Sequence, residues 1–143
     1  MYRHILVPTD GSERSERAAA HAANFADEHG SRITVLTVVR GVDAGSIDAL
    51  GTDGVERALR DAERTAGRST VEETVAALDA SSVDVATEIV RGVPYRAICD
   101  YAESTDVDLV VMGTEGRTGL ADRLLGSTTD RVTRLCDVPV LVV

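Results

Sequence analysis

The sequence predicts an α/β protein: a single domain, residues 1–143, in which an open parallel sheet of five strands carries helices on both faces. Three observations lead there. Five strand-length apolar segments alternate with four helix-length segments along the chain. The run Asp108-Leu109-Val110-Val111-Met112 is almost continuously hydrophobic, as a strand buried on both faces must be. That run stops at Gly113, and after a polar stretch Gly126 precedes Ser127-Thr128-Thr129-Asp130, so the order reads strand, loop, helix start.

Each element carries its own signal. Residues 2–7 form a first strand, with Ile5, Leu6 and Val7 in succession, and Pro8-Thr9-Asp10-Gly11 ends it. Ser12 can cap the following helix, and Glu13 and Glu16 sit in its first turn, where carboxylates complement the dipole. Ala18, Ala22, Phe25 and Ala26 make an apolar stripe at helical spacing, and His29-Gly30 is a stop. Residues 32–39 are the second strand. From 40 to 54 the breakers Gly41, Gly45, Gly51 and Gly54 predict a long mobile excursion. A second helix over residues 55–79 would turn Leu59, Ala62 and Ala66 inward, with a shift or bend near Gly67 towards Val71, Val75 and Leu78. Residues 83–90 alternate in period two, as a third strand at the sheet edge would. Pro94 suits a first helical turn and opens a third helix, 95–104. The fourth strand is 106–112, the last helix 127–136 and the fifth strand 139–143 (Pro139-Val140-Leu141-Val142-Val143).

Composition narrows the function. Twenty-four carboxylates face fifteen basic residues, all arginine, for a formal net charge of −9. A nucleic-acid or acidic-membrane partner needs a basic footprint, so neither is expected. No apolar segment approaches the length of a membrane span, and Met1 leads directly into a strand without a signal sequence, which predicts a cytoplasmic protein. An acidic, lysine-free surface is what a halophile's protein would show, because salt at 1 M screens self-repulsion over about 3 Å. The core must be built from Val, Leu, Ile and Ala, since only 3% of the residues are aromatic. Cys99 and Cys136 stand isolated and read as two small core residues rather than a disulfide or redox pair.

Chemistry gathers in two loops, those after the first and fourth strands. Gly113 and Gly116 lack a Cβ, so the backbone can take positive φ or approach a bulky ligand closely. Ser127 reads as the N-cap of the last helix, with Asp130 three residues on in the style of a capping box. The exposed N–H groups of such a first turn fit a phosphate. Without lysine, that phosphate must be held by backbone N–H groups, by the hydroxyls of Ser127, Thr128 and Thr129, and by Arg117. Groups for other chemistry are missing. There is no G-x-S-x-G nucleophile, His4, His21 and His29 lack metal-ligand spacing, and Asp43, Asp48 and Asp53 are too far apart for an EF-hand loop.

The spacing Gly113-x2-Gly116-x9-Gly126-Ser127 resembles the nucleotide-binding signature of the universal stress protein family, in its ATP-binding subclass. Ile5-Leu6-Val7-Pro8-Thr9-Asp10-Gly11-Ser12 is similar to that family's first strand and loop, and Val138-Pro139-Val140-Leu141-Val142-Val143 to its last strand, so the likeness spans the chain. The resemblance implies a Rossmann-like sheet of order 3-2-1-4-5, of the adenine nucleotide alpha hydrolase-like group, with Asp10 and Gly113 on one crevice. It implies ATP as ligand: Pro8, Thr9 and Asp10 near the adenosine part, Val38 and Met112 against adenine, and Gly113, Gly116, Arg117, Gly126, Ser127, Thr128 and Thr129 around the phosphates. Mg²⁺ would be bound through those phosphates. It also implies a homodimer through the last strand. Turn chemistry gives Asp10 a second role, an Asx-turn with Gly11, and Val38 could equally be an ordinary core valine. No general base for the γ-phosphate and no arginine finger can be named, so any hydrolysis is expected to be slow. Two alternatives remain: a nucleotide-free interaction module of the same family, and an ATP-dependent ligase or flavin-binding electron carrier of the wider fold group. The missing H-x-G-H and S-x-G-x-D-S patterns weigh against nucleotidyl-transfer and ligase chemistry.

Overall fold

Leu6, flanked by Ile5 and Val7, shows how the sheet is buried. All three have no solvent exposure, with Ile5 and Val7 entering one core and Leu6 the other. A strand covered on both faces can be apolar at every position, which is why its sequence does not alternate. The computed structural model describes residues 1–41, 53–114 and 125–143. The elements in order are β1 (His4–Pro8), α1 (Glu13–His29), β2 (Arg32–Val39), α2 (Asp53–Ala76), β3 (Val85–Arg91), α3 (Pro94–Ser104), β4 (Leu109–Met112), α4 (Ser127–Leu135) and β5 (Val140–Val142). The strands form one parallel sheet of order β3-β2-β1-β4-β5, the order that the family resemblance implied. β3 is an edge strand, as its alternation predicted, and β5 is the other edge.

One core lies between the sheet and α1 with the later part of α2, the second between the sheet and α3 with α4. Ala18, Ala19, Ala22, Ala23 and Ala26 bury the inner face of α1, and such small side chains let the helix axis approach the sheet. Fully buried side chains such as Ile33, Leu36 and Val110 contribute about 1.5–3 kcal/mol each through removal from water. α1 begins at the Ser12 cap, whose hydroxyl accepts the Ser15 N–H, and ends at Gly30 with φ 68°. A left-handed residue there favours glycine.

Some expected details differ. Leu59 is 38% exposed, and Ala62 and Ala66 also face solvent among the described residues, so the first half of α2 does not turn them inward. Its buried stripe starts at Gly67 and continues through Val71 and Thr74. A Cβ on Gly67 would lie 3.0 Å from the side chains of Ile89 and Val39, so this glycine sets the close approach of α2 to β2 and β3. Periodicity alone misplaced the stripe because Leu59-x2-Ala62-x3-Ala66 is itself a helical spacing. β1 runs one residue further than expected, to Pro8, and β4 begins only at Leu109. Asp53 opens α2, whereas Asp43, Asp48 and most of the expected excursion from 40 to 54 lie outside the described residues. Among the described residues no helix is long and apolar enough to cross a membrane.

Candidate functional site

In a parallel α/β sheet every helix runs back against the strands, so helix N-termini collect beyond the strands' carboxyl ends. Here the starts of α1, α3 and α4 meet the ends of β1, β2 and β4 around a cavity of about 370 Å³. Because β1 and β4 are neighbours, Asp10 and Gly113 both line it. Pro8, Thr9, Val38, Met112, Gly126, Ser127, Thr128 and Thr129 line it as well. Gly116 and Arg117 lie outside the described residues.

The loop after β1 is held rigidly. Thr9 N–H donates to Leu36 O at 2.8 Å, and Thr37 Oγ1 donates to Thr9 O at 2.8 Å. The Thr9 hydroxyl, buried, lies 2.8 Å from Thr74 Oγ1 on α2 and accepts the Gly11 N–H at 3.1 Å. Thr9 therefore fastens the loop to α2 with its side chain. Gly11 has φ 80°, a turn conformation that L side chains rarely adopt. Asp10 Oδ1 accepts the Ser12 N–H at 3.0 Å, which is the Asx-turn that turn chemistry predicted, and also accepts the Ser15 hydroxyl at 3.1 Å. Partial burial pushes the Asp10 carboxyl up, but the hydrogen bonds from Ser12 and Ser15 outweigh it and leave the group below its ordinary value. Asp10 is thus a fixed anion at the rim, with these bonds on one oxygen.

The helix start opposite differs from expectation. The N-cap is Gly126, with φ −61° and ψ 157°, and Ser127 is the first helical residue. Asp130 N–H donates to Gly126 O at 2.8 Å, so the first helical turn closes one residue earlier than a Ser127 cap would allow. Ser127 cannot cap a helix that it already belongs to, and Gly126 has no side chain with which to cap it. The N–H groups of the first turn consequently point out of the helix end that lines the cavity. Thr129 is buried, and its hydroxyl donates to Gly113 O at 3.1 Å, tying α4 to the end of β4.

Gly113 is needed for a reason that the loop reading missed. Its φ is not positive. A Cβ there would stand 2.5 Å from the carbonyl oxygen of Arg14, so the absent side chain lets the first turn of α1 pack on β4's end. That approach brings Arg14 to the cavity. Arg14, Arg40, Ser12, Ser15, Leu36, Pro94 and Ile98 also line the cavity, and sequence reasoning assigned none of them to a site. Arg14 in the first turn of α1, Arg40 directly after β2 and Pro94 opening α3 all sit just beyond strand carboxyl ends. The rule that ligands bind there would have found them. Apolar Leu36, Val38, Ile98 and Met112 supply one part of the lining, while two guanidiniums and the α4 start supply another. Such a cavity can take a flat apolar group joined to an anionic one. Among the described residues no group of three or more His, Cys, Asp or Glu side chains could hold a metal ion.

Comparison with known proteins places this architecture. The sequence profile of the universal stress protein family matches residues 1–143. Universal stress protein MJ0531 of Methanocaldococcus jannaschii is 36% identical over all of this chain and 82% of its own length. The solved structure of MJ0577, from the same organism, superposes with a TM-score of 0.80 at 32% identity, covering 100% of this chain and 96% of that one. A universal stress protein solved in complex with cAMP gives a TM-score of 0.69 at 27% identity, covering 99% of this chain and 97% of that one. Profile, sequence relatives and fold agree across the full length, and the chain belongs to the universal stress protein family.

Proposed function

We propose that this protein binds ATP in the cavity at the carboxyl ends of β1, β2 and β4, and acts as a nucleotide-dependent stress-response or regulatory protein. The observation that carries the reading is the division of the cavity lining. Val38, Met112 and Ile98 offer an apolar face for adenine, and the α4 start with Arg14 and Arg40 offers positive charge for a phosphate chain. Asp10, an exposed carboxylate beside them, can accept from ribose hydroxyls. A solved relative in complex with cAMP supports an adenine nucleotide as the ligand class. Gly116 and Arg117 belong to the proposed phosphate contacts through the family motif alone. Mg²⁺ would enter bound to the phosphates, with Asp10 as the one carboxylate among the described lining residues. Among the described lining residues Asp10 is the one carboxylate that could act as a general base, and its Oδ1 is already engaged by Ser12 and Ser15, which supports slow turnover at most.

Titration calorimetry with Mg-ATP in high-salt buffer, alongside chromatography of nucleotide released from the purified protein, tests this. Stoichiometric ATP or ADP, or micromolar binding, is the expected result. A protein that purifies empty and also resists loading is instead a nucleotide-free interaction module.

The reading includes a cytoplasmic homodimer. β5 is a short edge strand whose Leu141 is 37% exposed, and an unpaired edge of this kind is a template for a second chain. Leu141→Asp should convert the dimer to monomer in light scattering; a dimer that survives the change is built elsewhere.

A further inference from the structure

Ser15 is the polar exception on the inner face of α1, whose other buried residues are all alanine. It is 7% exposed, and an alanine would fill that place without a hydroxyl to satisfy. The hydroxyl is answered on two sides. Its oxygen lies 3.1 Å from Thr9 Oγ1 and 3.1 Å from Asp10 Oδ1, and Thr9 Oγ1 in turn lies 2.8 Å from Thr74 Oγ1 on α2. Thr9 and Thr74 are buried as well. From α2 outwards the donors can therefore run in one direction, Thr74 to Thr9, Thr9 to Ser15 and Ser15 to Asp10, with the carboxylate at the cavity rim as the last acceptor. The Ser15 proton has one competing acceptor, Ser12 O at 2.8 Å, but the carboxylate is charged and so the stronger acceptor.

We propose that Ser15 is the positioning residue for Asp10 and, through it, makes the cavity select nucleotides with free ribose hydroxyls; the inference rests on the ATP reading above. The Ser12 N–H and the Ser15 hydroxyl both end on Oδ1 of Asp10. Two donors on one oxygen hold the carboxylate in a single orientation and leave Oδ2 to a ligand. Ser15 and Asp10 both line the cavity, so the oriented acceptor belongs to the site itself. A ribose hydroxyl then meets an acceptor already in place, and binding does not have to order the side chain first. Thr74 is dispensable for this. It has a second acceptor of its own, Thr70 O at 2.9 Å, and without Thr74 the Thr9 hydroxyl still has Ser15 to donate to.

Titration calorimetry of the full chain with Mg-ATP and with Mg-dideoxy-ATP, which lacks both ribose hydroxyls, separates this contact from the rest of the ligand. The wild type should prefer ATP by about tenfold or more, because a site built to accept from hydroxyls rejects the analogue without them. Ser15→Ala should lower ATP affinity about fivefold and leave dideoxy-ATP unchanged. A second readout needs no nucleotide. Burial raises the Asp10 carboxyl while the bonds from Ser12 and Ser15 lower it, so NMR titration of its carboxyl carbon should show the pKa rise in Ser15→Ala. Thr74→Val should keep both the selectivity and the Asp10 pKa of the wild type. Should the alanine variant not fold, Ser15→Cys, of similar size with only a weak donor, gives the same readouts. Equal losses for both nucleotides, an unmoved Asp10 pKa, or a Thr74→Val that matches Ser15→Ala each overturn the proposal. A wild type that binds both nucleotides equally overturns it too and leaves the ATP reading intact, whereas one that binds neither ends that reading and this inference together.

Discussion

Two cavities sit at opposite ends of the same sheet and differ in how their polar groups are used. At the amino end a space of about 260 Å³ is lined by His4, Arg32, Thr34, Tyr101 and Asp106, among others. His4 Nδ1 donates to Asp106 Oδ1 at 2.8 Å, and Nε2 lies 2.8 Å from Thr34 Oγ1. Arg32 donates to the other oxygen of Asp106. Asp108 accepts the backbone N–H groups of Arg3 and His4 at 2.9 and 3.1 Å, which ties β1 to the entry of β4. His4, Arg32, Thr34 and Asp106 at this end answer one another. At the carboxyl end Arg14 and Arg40 have no carboxylate partner among the described residues, and the first turn of α4 has no side-chain cap. Helix direction explains the contrast, since α1 starts at one end and finishes at Gly30 at the other. N-termini favour an anion from outside, whereas the C-terminal end favours cations that the chain supplies itself. A histidine, a threonine and an aspartate in contact are therefore a structural network here, and the less satisfied end is the candidate site.

This contrast can be broken or sharpened by substitution. The largest effect is expected for Gly113→Val, which drives a side chain against the Arg14 backbone and should cost about 3 kcal/mol in urea denaturation. Loss of ATP binding without loss of stability would show that the close approach of α1 to β4 is unimportant. Arg14→Ala should weaken Mg-ATP binding about tenfold, the size of one charge-assisted hydrogen bond, while leaving adenosine affinity unchanged. Equal losses for both ligands would remove Arg14 from the phosphate end. Thr34→Val should do the opposite, lowering stability by about 1–2 kcal/mol with ATP affinity intact, because it leaves His4 Nε2 without its threonine partner. An ATP defect in this variant would mean the two ends are coupled.

The smallest effect is electrostatic. The hydrogen bond from His4, more than the charge of Arg32, holds the Asp106 carboxyl below its ordinary value of 3.8. A depressed carboxylate stabilises the fold above that value and loses the contribution as pH falls through the lower folded value. Stability of the wild type should therefore decline more steeply below about pH 4 than that of Asp106→Asn. Parallel curves would mean that this exposed pair contributes nothing measurable.

Much of this was legible beforehand because strand burial and helix periodicity are written locally. Every strand and helix among the described residues was anticipated, with ends off by one to three residues in most cases and β2 matching at both ends. Ten of the twelve candidate ligand residues line one cavity, since the family resemblance and the helix-start reading put them at strand ends and helix starts, which a parallel sheet necessarily gathers. The misreadings have a common cause. Leu59 was expected inside because its spacing fits a helix face, yet whether a neighbour covers that face depends on where the helix projects past the sheet. Ser127 was expected as cap because serine favours that position, but the backbone path out of the preceding loop decides where helical dihedrals begin.

By itself, then, the chain determined a parallel α/β sheet, the loops where chemistry gathers, a lysine-free acidic surface and the family motif, because each is a property of residues near one another in sequence. Tertiary structure decided that Gly113 makes room for the backbone of Arg14, and that Thr9 and Thr129 use their hydroxyls as internal ties. Those relations join positions 16 to 99 residues apart, and only the order of strands and the packing of helices across them brings such positions into contact.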